Sequence, residues 1–341
     1  ETNWEGVSVD YRCRFMGLKA LENGVILFDN VRVPKENLIG KEGQGLKIAL
    51  VTLNTGRLSL PAACLGGARR CIEASRKFSG ERVQWGAPVG KHEAISHKIA
   101  TMSSKIFAME SWCYLANELS MRKGYDIRLE AATAKEWGST RSWDMIDEAM
   151  QILGGRGYET EQSLAGRGEE AFGIERAMRD ARINRIFEGS SEIMHLFMAR
   201  ELVDKHLKIS GDFLDPKLSI GKKIAALPGM GLFYAAWYPR LWLGFFAMFK
   251  YGKYGALAKH VRFADKASRR LARNVFHGMV RYQIKLERKQ AFLFRTVDIA
   301  MEIAVMCAVV SRVEWMKKNN HPDVSAAAEL ADSYCRTARR S

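Results

Sequence analysis

Apolar residues follow two different periods along the chain, and the period changes near residue 45. Before it, Val25–Phe28 is a short apolar run, Asp29-Asn30 signals a turn, and Val31–Pro34 alternates apolar and polar positions. Residues 1–40 are therefore predicted to be β structure. Two or three strands are only marginally stable alone, so this region is expected to be the end of a β domain whose beginning is missing.

From Gly45 onward the apolar period is helical. The clearest stripe is expected to end at Gly124, and its members are spaced by three or four residues: Ile95, Ile99, Met102, Ile106, Met109 and Cys113. Further helices are predicted from about 127 to 153, 174 to 187 and 190 to 207, with a return to helix over 264–317. The polar, glycine-containing stretch 160–173 is predicted to be a loop. The methionines on these faces are interpreted as core residues.

Residues 217–262 differ from the rest because they hold eight Lys or Arg and no acid. Within them, Ile224–Phe249 is an aromatic-rich run of 26 residues with Arg240 as its only charge. One interpretation is a segment that lies on an anionic membrane surface. The alternatives are a hydrophobic contact with another domain or subunit, and a true membrane span. The span is disfavoured by Pro228, by Pro239 and by aromatic residues spread along the run.

Composition narrows the class of protein. The 341 residues carry a net charge of +15, with 47% hydrophobic and 27% charged residues. These values exclude a mostly disordered chain, a collagen-like repeat and a disulfide scaffold. The positive charge predicts an anionic partner: nucleic acid, a membrane or a phosphate-rich small molecule. The six cysteines show no CxxC and no zinc-like spacing, which favours thiols in a reducing compartment.

Common catalytic signatures are absent from the sequence. It has no GxGxxG after a strand, no GxxxxGK[ST], no HExxH and no GxSxG. The glycines of Gly40–Gly45 are interpreted as a turn that opens a helix.

The most informative stretch is Arg179–Ile193, which has a glutamate, a glycine and a serine between two predicted helices. Glu188 follows two large apolar residues, so its carboxylate is expected to be partly desolvated, as suits a general base. Gly189 allows another molecule to approach the backbone closely, and Ser190 can cap the next helix. The alternative is an ordinary helix–turn–helix whose glutamate is solvated.

This stretch resembles the catalytic region of the acyl-CoA dehydrogenase family, in which a basic helix precedes Phe/Tyr-Glu-Gly-Thr. Other blocks resemble the family in order and spacing. They are Phe28–Pro34 at the end of its β domain, Gly56-Arg57, the flavin-motif-like Arg82–Gly86, and Gln151–Tyr158. Phe292–Arg295 and Asn320–Pro322 are similar to the very-long-chain branch, which has an added helical domain and lies on a membrane.

The resemblance implies a mainly α fold: the family's C-terminal helical bundle, preceded by a remnant of a β domain and followed by a second helical domain. The corresponding domains are 1–40, 41–208, 209–262 as a basic, aromatic, membrane-associating segment, and 263–341. It also implies FAD-dependent α,β-dehydrogenation of long-chain acyl-CoA to trans-2-enoyl-CoA in fatty-acid β-oxidation. Electron-transfer flavoprotein is the implied acceptor, a homodimer is expected, and no nucleic acid is involved. The implied location is the bacterial cytoplasm or the mitochondrial matrix, peripheral on the inner membrane.

The resemblance also implies a role for each site residue. Glu188 is the implied base for the α-proton, and its backbone N–H is implied to contact the thioester oxygen. Acyl-CoA is implied to contact Asn54, Arg57 and Gly189. The residues implied to bind FAD are Arg82, Gln84, Trp85, Gln151, Gly154, Gly155, Ser190 and Glu192. No metal is expected.

The sequence departs from the family's pattern at a few positions. Trp85 stands for the usual Phe, Ser190 stands for the usual Thr, and Glu93 stands where some members have Gln. Most of the family's N-terminal part has no counterpart here, so these residues alone are expected to hold FAD poorly. The competing hypothesis is a dehydrogenase-like scaffold whose flavin site has lapsed and which binds a membrane or a protein partner.

Overall fold

The computed structural model describes residues 2–214, 218–244 and 250–340. These residues form two compact units. The first consists of the residues up to Ile99 together with Gly138–Glu188, and the second of Ala100–Trp137 together with the residues from Gly189 onward. Both units are mainly helical, which confirms the predicted fold class.

The β structure of the first unit is smaller than predicted. Strands β1 (Val7–Arg12) and β2 (Gly24–Phe28) pair antiparallel, with Val7 opposite Phe28 and a register shift between Val9 and Tyr11. The predicted strand at Val31–Pro34 is wrong. Pro34 instead precedes a 3₁₀ turn at Lys35–Asn37, because proline fixes φ and has no N–H to pair with a neighbouring strand.

Helices account for most of the remaining chain, and their bounds confirm most of the sequence-based helices. In order they are α1 Gly45–Glu81, α2 Glu93–Ser120, α3 Arg128–Leu153, α4 Gly155–Tyr158, α5 Glu161–Gly166, α6 Ile174–Ala181, α7 Ser191–Leu214, α8 Ile220–Arg240, α9 Ala258–Tyr282, α10 Gln290–Lys318 and α11 Val324–Ala338. A two-stranded hairpin, β3 (Val83–Gln84) and β4 (Ala87–Pro88), lies between α1 and α2.

Two helical regions differ from the prediction. The stretch 160–173 is not entirely a loop, because α5 forms within it and the Thr160 side chain accepts a hydrogen bond from the Ser163 N–H, as an N-cap does. The region 264–317 is not one helical stretch. Helix α9 begins earlier than expected, and Gln283, at φ 46°, ends it before α10 begins.

The core of the first unit is formed by one face of α1 and the C-terminal half of α3. Residues of α1 spaced by three or four positions are buried there, including Cys64, Ala68 and Cys71. They share the core with Met145 and Ile152 of α3. Pro61 lies inside α1, and Gly138 provides space for it, because a Cβ at Gly138 would be 3.4 Å from the Pro61 Cβ.

The core of the second unit is built from helices that are distant in sequence. The predicted stripe of α2 contributes the buried Met102 and Met109, while Ile106 and Cys113 are half-buried. Methionines of α7 and α10 are buried as well, and together with Met145 of the first unit they confirm the assignment of the helical methionines to the cores. Helix α10 packs against α7, α9 and α11, so it is the central helix of this unit.

Of the aromatic residues of the run Ile224–Phe249 that the structure describes, four on α8 are half-buried within the second unit, whereas Trp242 is 62% exposed. Tyr234 of α8 stacks on the His206 ring. Phe233 and Trp237 of the same helix and Phe276 of α9 lie around this pair. Helix α8 continues past Pro228, whereas Pro239 is its second-last residue and the helix ends at Arg240. Phe245, Phe246 and Phe249 of the predicted run, and Lys217 before it, lie outside the described residues.

By length and hydropathy alone, α1 is the one helix in the described ranges that could cross a membrane. Its buried face, described above, belongs to the core of the first unit.

Candidate active site

The turn that carries Glu188 is held in an unusual backbone conformation. Helix α6 ends at Ala181 and a 3₁₀ turn covers Arg182–Arg185, so Glu188 lies in a turn beyond the helices and not at a helix end as predicted. Glu188 has φ 54° and Gly189 has φ 102°. A left-handed conformation is uncommon for a residue with a Cβ, costs on the order of 1–3 kcal/mol, and is concentrated at functional sites.

Gly56 of α1 provides the space in which the Glu188 carboxylate lies. A Cβ placed on Gly56 would be 2.7 Å from both Glu188 Oε1 and Oε2, which is closer than real Cβ contacts. The Oε2 atom is buried and has no hydrogen-bond partner among the described residues. A buried carboxylate oxygen without a donor is ready to accept a proton from another molecule.

Arg57 and Asn54 lie next to this carboxylate on α1. The Arg57 Nε donates to the Glu188 carbonyl oxygen over 3.4 Å, and its Nη1 donates to Asn54 Oδ1 over 3.3 Å. Burial lowers the pKa of Arg57 below its ordinary value, although the negative Glu188 opposes this shift. Because Arg57 bonds to the backbone of Glu188, it fixes the strained turn while leaving Oε2 unpaired.

The backbone N–H of Glu188 also has no partner. Within the described ranges no group accepts a hydrogen bond from it, whereas the preceding N–H groups of Ile186 and Phe187 both donate to the Ile183 carbonyl. An unpaired, fixed N–H beside a carboxylate can stabilise negative charge on a carbonyl oxygen of a bound molecule.

In the second unit, the residues after this turn begin helix α7. The Ser190 Oγ accepts a hydrogen bond from the Ile193 N–H over 3.4 Å, which confirms the predicted cap. Glu192 is exposed in the first turn of α7, where a carboxylate interacts favourably with the positive end of the helix dipole. The Gly189 carbonyl accepts a hydrogen bond from the Nζ of Lys135, a lysine of α3 that is fully buried.

His195 of α7 links the first turn of this helix to α10. Its Nδ1 lies 2.7 Å from the Ser191 carbonyl and its Nε2 lies 2.9 Å from Asp298 Oδ1 of α10. Burial lowers the pKa of His195, but the hydrogen bonds to Asp298 and Ser191 raise it more, so the pKa lies above its ordinary value. Both ring nitrogens face acceptors, an arrangement that suits the doubly protonated imidazolium.

The flavin-motif-like residues of the first unit occupy the β3–β4 hairpin. Trp85 and Gly86 both have positive φ, as a two-residue type I′ turn requires, and this turn leaves Trp85 88% exposed. Gln84 is exposed as well. Arg82 lines a cleft of about 460 Å³, in which Glu169 and Glu170 are already paired with Arg156 and Lys77.

Gln151, Gly154 and Gly155 form another exposed group of the first unit, at the end of α3. Gly154 needs to be glycine because its backbone, at φ 59° and ψ −135°, is closed to other residues. Gly157 is packed against the Met150 carbonyl, 2.7 Å from where a Cβ would lie. Gly155 has neither constraint, since its Cβ would meet nothing within 4 Å and its φ is not positive. Nothing in the described structure requires a glycine at this position.

These two exposed groups fit the cofactor that the resemblance implies. A free guanidinium, an amide and open glycine backbone are donors suited to phosphates, and an exposed indole is a flat apolar surface suited to a ring system. The structure therefore brings most of the predicted residues together as three groups of the first unit: the Asn54–Arg57–Glu188 cluster, the hairpin, and the end of α3. The remaining three, Gly189, Ser190 and Glu192, lie at or before the start of α7 in the second unit.

Sequence reasoning missed three residues of this region. Gly56 was included only as a neighbour of Arg57, and the positions of Lys135 and His195 depend on tertiary packing. A signal for Lys135 was available, because it follows Ala131-Ala132-Thr133-Ala134, a run of small residues typical of a buried helix face.

The first unit thus carries a carboxylate on a strained turn between helices, and this carboxylate lies against a helical glycine. Residues 43–203 match the family model described as acyl-CoA dehydrogenase, C-terminal domain. Residues 43–203 therefore form a domain of the acyl-CoA dehydrogenase family.

Individual relatives extend the match beyond that domain. The chain is 49% identical over 339 residues to the probable acyl-CoA dehydrogenase FadE10 of Mycobacterium tuberculosis, covering 99% of this chain and 52% of the relative. It is 30% identical over 321 residues to the mitochondrial very long-chain specific acyl-CoA dehydrogenase of Homo sapiens, covering 94% of this chain and 47% of the relative. The chain thus spans about half the length of the curated relatives it matches.

A solved structure agrees with the fold along the chain. An acyl-CoA dehydrogenase from Bacillus anthracis, complexed with FAD, superimposes with a TM-score of 0.76 at 26% identity, covering 99% of this chain and 55% of that one.

Proposed function

We propose that the complete protein is an FAD-dependent acyl-CoA dehydrogenase that converts an acyl-CoA thioester to trans-2-enoyl-CoA, with Glu188 as the base. The observation that carries the proposal is the Glu188 carboxylate, whose buried Oε2 has no partner among the described residues and lies against Gly56. Conversion of a saturated thioester removes one proton from Cα and one hydride from Cβ, so it requires a base and a hydride acceptor.

Each residue of the cluster has a role in this reaction. Glu188 Oε2 takes the α-proton, and the free Glu188 N–H donates to the thioester oxygen, where charge develops as that proton leaves. Arg57, with Asn54 behind it, holds the Glu188 peptide in its left-handed conformation. Gly189 leaves the backbone on that side accessible to the acyl-CoA. The hydride from Cβ passes to the flavin when FAD is bound.

The residues proposed to hold FAD are the ones that are exposed without a packing role. Arg82 and Gln84 offer a guanidinium and an amide to its phosphates, and Trp85 offers a flat surface. Gln151, Gly154 and Gly155 offer an amide and open backbone. Ser190 and Glu192 are proposed to lie near the cofactor at the start of α7.

The test of the base is Glu188→Gln in the complete FAD-loaded protein. The amide has the size of the carboxylate but cannot take the proton, so we expect FAD content and thermal stability to be retained. Turnover of a long-chain acyl-CoA is expected to fall by on the order of 10²–10⁴-fold, the usual contribution of general-base catalysis. Glu73→Gln, an exposed glutamate of α1, is the matched control. Turnover of Glu188→Gln at the control's level contradicts the assignment.

The competing function is a scaffold whose flavin site has lapsed. The two hypotheses differ in a direct optical measurement, because an active dehydrogenase shows a flavin absorbance band that bleaches when acyl-CoA is added without oxygen. A complete protein that takes up no FAD, or FAD that is not bleached by any acyl-CoA, supports the scaffold.

The substrate class and the electron acceptor are proposed from the relatives and solved structures that this chain resembles. We propose long-chain substrates in fatty-acid β-oxidation, because relatives that cover the chain are named very long-chain specific. Electron-transfer flavoprotein is the proposed acceptor. A solved structure titled electron transferring flavoprotein of Acidaminococcus fermentans is 34% identical over 60% of this chain, with a TM-score of 0.54. We also propose a homodimer and the domain limits 1–40, 41–208, 209–262 and 263–341. The proposed location is the bacterial cytoplasm or the mitochondrial matrix.

We propose in addition that the second unit binds a membrane surface through α8. The support comes from aliphatic residues, because the aromatic residues around His206 are half-buried within the unit. Ile220, Ile224 and Leu227, spaced by four and three residues, form an exposed apolar stripe beside the exposed Lys222. Apolar residues with flanking lysines suit an anionic bilayer surface.

The test of the α8 stripe is Ile220→Glu with Ile224→Glu in the complete protein. We expect sedimentation with phosphatidylglycerol vesicles to be lost while flavin absorbance is unchanged. Val280→Glu, at an exposed apolar position of α9, is the control. Undiminished sedimentation of the double variant contradicts the membrane assignment.

A further inference from the structure

A cationic pocket lies in the second unit, apart from the residues discussed for the dehydrogenase. Its cavity of about 360 Å³ is lined by two residues of the first turns of α9 and three residues at the end of α11: Lys259, Phe263, Arg336, Arg339 and Arg340. Four of the five lining side chains are cations and none is an acid. We refer to these five residues as the basic pocket.

One carboxylate beside the basic pocket neutralises part of this charge. Asp332 Oδ1 pairs with Lys259 Nζ at 2.6 Å, and Asp332 Oδ2 pairs with Arg336 Nε at 2.6 Å. The same Oδ1 lies 2.8 Å from Nε2 of the buried His260. Burial raises the pKa of Asp332, but hydrogen bonds to Lys259, His260 and Arg336 lower it well below its ordinary range, so the carboxylate stays ionised. Its lone pairs are already shared among three donors.

Arg339 and Arg340 are left without an acidic partner in the described part of the chain. The Arg339 guanidinium lies over the Phe263 ring, with Cζ 4.7 Å from the ring centroid. Stacking on a ring restricts the guanidinium plane and leaves its N–H edge free to donate. The pocket therefore contains a partly preorganised, unused set of donors.

Helix stability explains only part of this arrangement. Arginines in the last turn of α11 interact favourably with the negative end of its helix dipole. Lys259 does not have this explanation, because it lies in the first turn of α9, where a cation is disfavoured. The fold thus brings cations from two helices to one cavity and balances them with a single carboxylate. Like charges so placed are stabilised by a bound anion.

We propose that the basic pocket binds a phosphate group, carried by a lipid headgroup or by a soluble phosphate. Phosphate fits this set better than a carboxylate, because it bears up to two negative charges and accepts bidentate hydrogen bonds from several guanidinium groups at once. The cavity volume lies at the lower end of small-ligand sites, so it accommodates the phosphate together with a small group attached to it. This site is independent of the proposed dehydrogenation.

The test is the double substitution Arg339→Ala with Arg340→Ala in the complete FAD-loaded protein. Titration with inorganic phosphate at constant ionic strength is expected to show affinity weakened by on the order of 10- to 100-fold, since charge-assisted hydrogen bonds are lost. The matched control is Lys266→Ala with Arg270→Ala, which removes the same charge from exposed positions of α9 outside the pocket. The control is expected to bind phosphate like the unchanged protein.

A second variant and a vesicle measurement separate the remaining outcomes. Phe263→Leu keeps every charge but removes the ring under Arg339, so a several-fold loss is expected from geometry alone. In the vesicle arm, phosphatidylcholine vesicles are compared with and without phosphatidic acid. A loss that extends to phosphatidic acid vesicles identifies a lipid source, and a loss confined to inorganic phosphate identifies a soluble one. Equal behaviour of the pocket and control doubles in both arms, or no binding of either probe, overturns the proposal.

Discussion

Substituting Gly56 by alanine tests the geometry of the candidate base most directly. The new Cβ would lie 2.7 Å from both oxygens of the Glu188 carboxylate, about 0.7 Å inside the 3.4 Å at which ordinary contact begins. The carboxylate can relieve this contact by moving, because Oε2 has no partner among the described residues that would hold it. Gly56→Ala is therefore expected to displace the base and leave the fold intact.

Gly56→Ala affects two separate quantities, the stability of the helix and the rate of the reaction. Replacing a glycine inside a helix by alanine stabilises the helix by roughly 0.5–1 kcal/mol. In contrast, a misplacement of about 1 Å at a reacting group can cost on the order of 100-fold in rate. We expect Gly56→Ala to keep its FAD and its thermal midpoint, and to lose about 10- to 100-fold in kcat.

Gly66 offers a matched control in the same helix. It is exposed in the interior of α1, and its Cβ would meet nothing within 4 Å. Gly66→Ala makes the same chemical change, so it is expected to raise the thermal midpoint without changing turnover. Both variants are assayed by anaerobic flavin bleaching with a long-chain acyl-CoA and by thermal unfolding. If Gly56→Ala bleaches as fast as Gly66→Ala, the carboxylate does not react from the position beside Gly56.

Two further predictions concern the second unit. Lys135→Met leaves the part-buried Gly189 carbonyl without its donor and is expected to destabilise the protein by about 1–3 kcal/mol in denaturant unfolding. An unchanged midpoint would show that this hydrogen bond has no net effect on stability. The pKa of His195 is raised in the folded state, so its bonds to Asp298 and Ser191 stabilise the fold most at a pH below the ordinary value of 6.5 and lose this contribution as the pH rises through the raised pKa. His195→Gln is expected to remove that part of the pH dependence of the unfolding midpoint, and an identical pH profile would contradict it.

Local patterns in the sequence were sufficient for most of the secondary structure. The three- and four-residue spacing that predicted α2 reflects the burial of one helix face, which is a property of adjacent residues. The end of α3 at Gly154 and the cap of α7 at Ser190 were equally local. Pro228 is a local helix-breaking signal that the tertiary structure overrules: α8 continues through it, because packing against α7 outweighs the lost hydrogen bond.

The candidate site was predictable only where its residues lie in short contiguous motifs. Glu188 with its glycine, Arg82–Gly86 and Gln151–Tyr158 could each be recognised, because the chemistry depends on neighbouring residues. The solvent exposure of these residues could not be predicted in the same way. Ile186, expected to desolvate Glu188, is half exposed, and the burial of Oε2 comes instead from α1, more than 130 residues earlier in the chain.

The sequence by itself determined the period of each helix, the family resemblance and the residue types available for chemistry. Tertiary structure alone decided that Gly56 gives the Glu188 carboxylate its space and that the aromatic residues of α8 are packed around His206. It also decided that cations of α9 and α11 share one cavity. The physical reason is that spacing along a helix fixes which face a residue occupies, whereas contact between faces depends on the packing of elements that are distant in sequence.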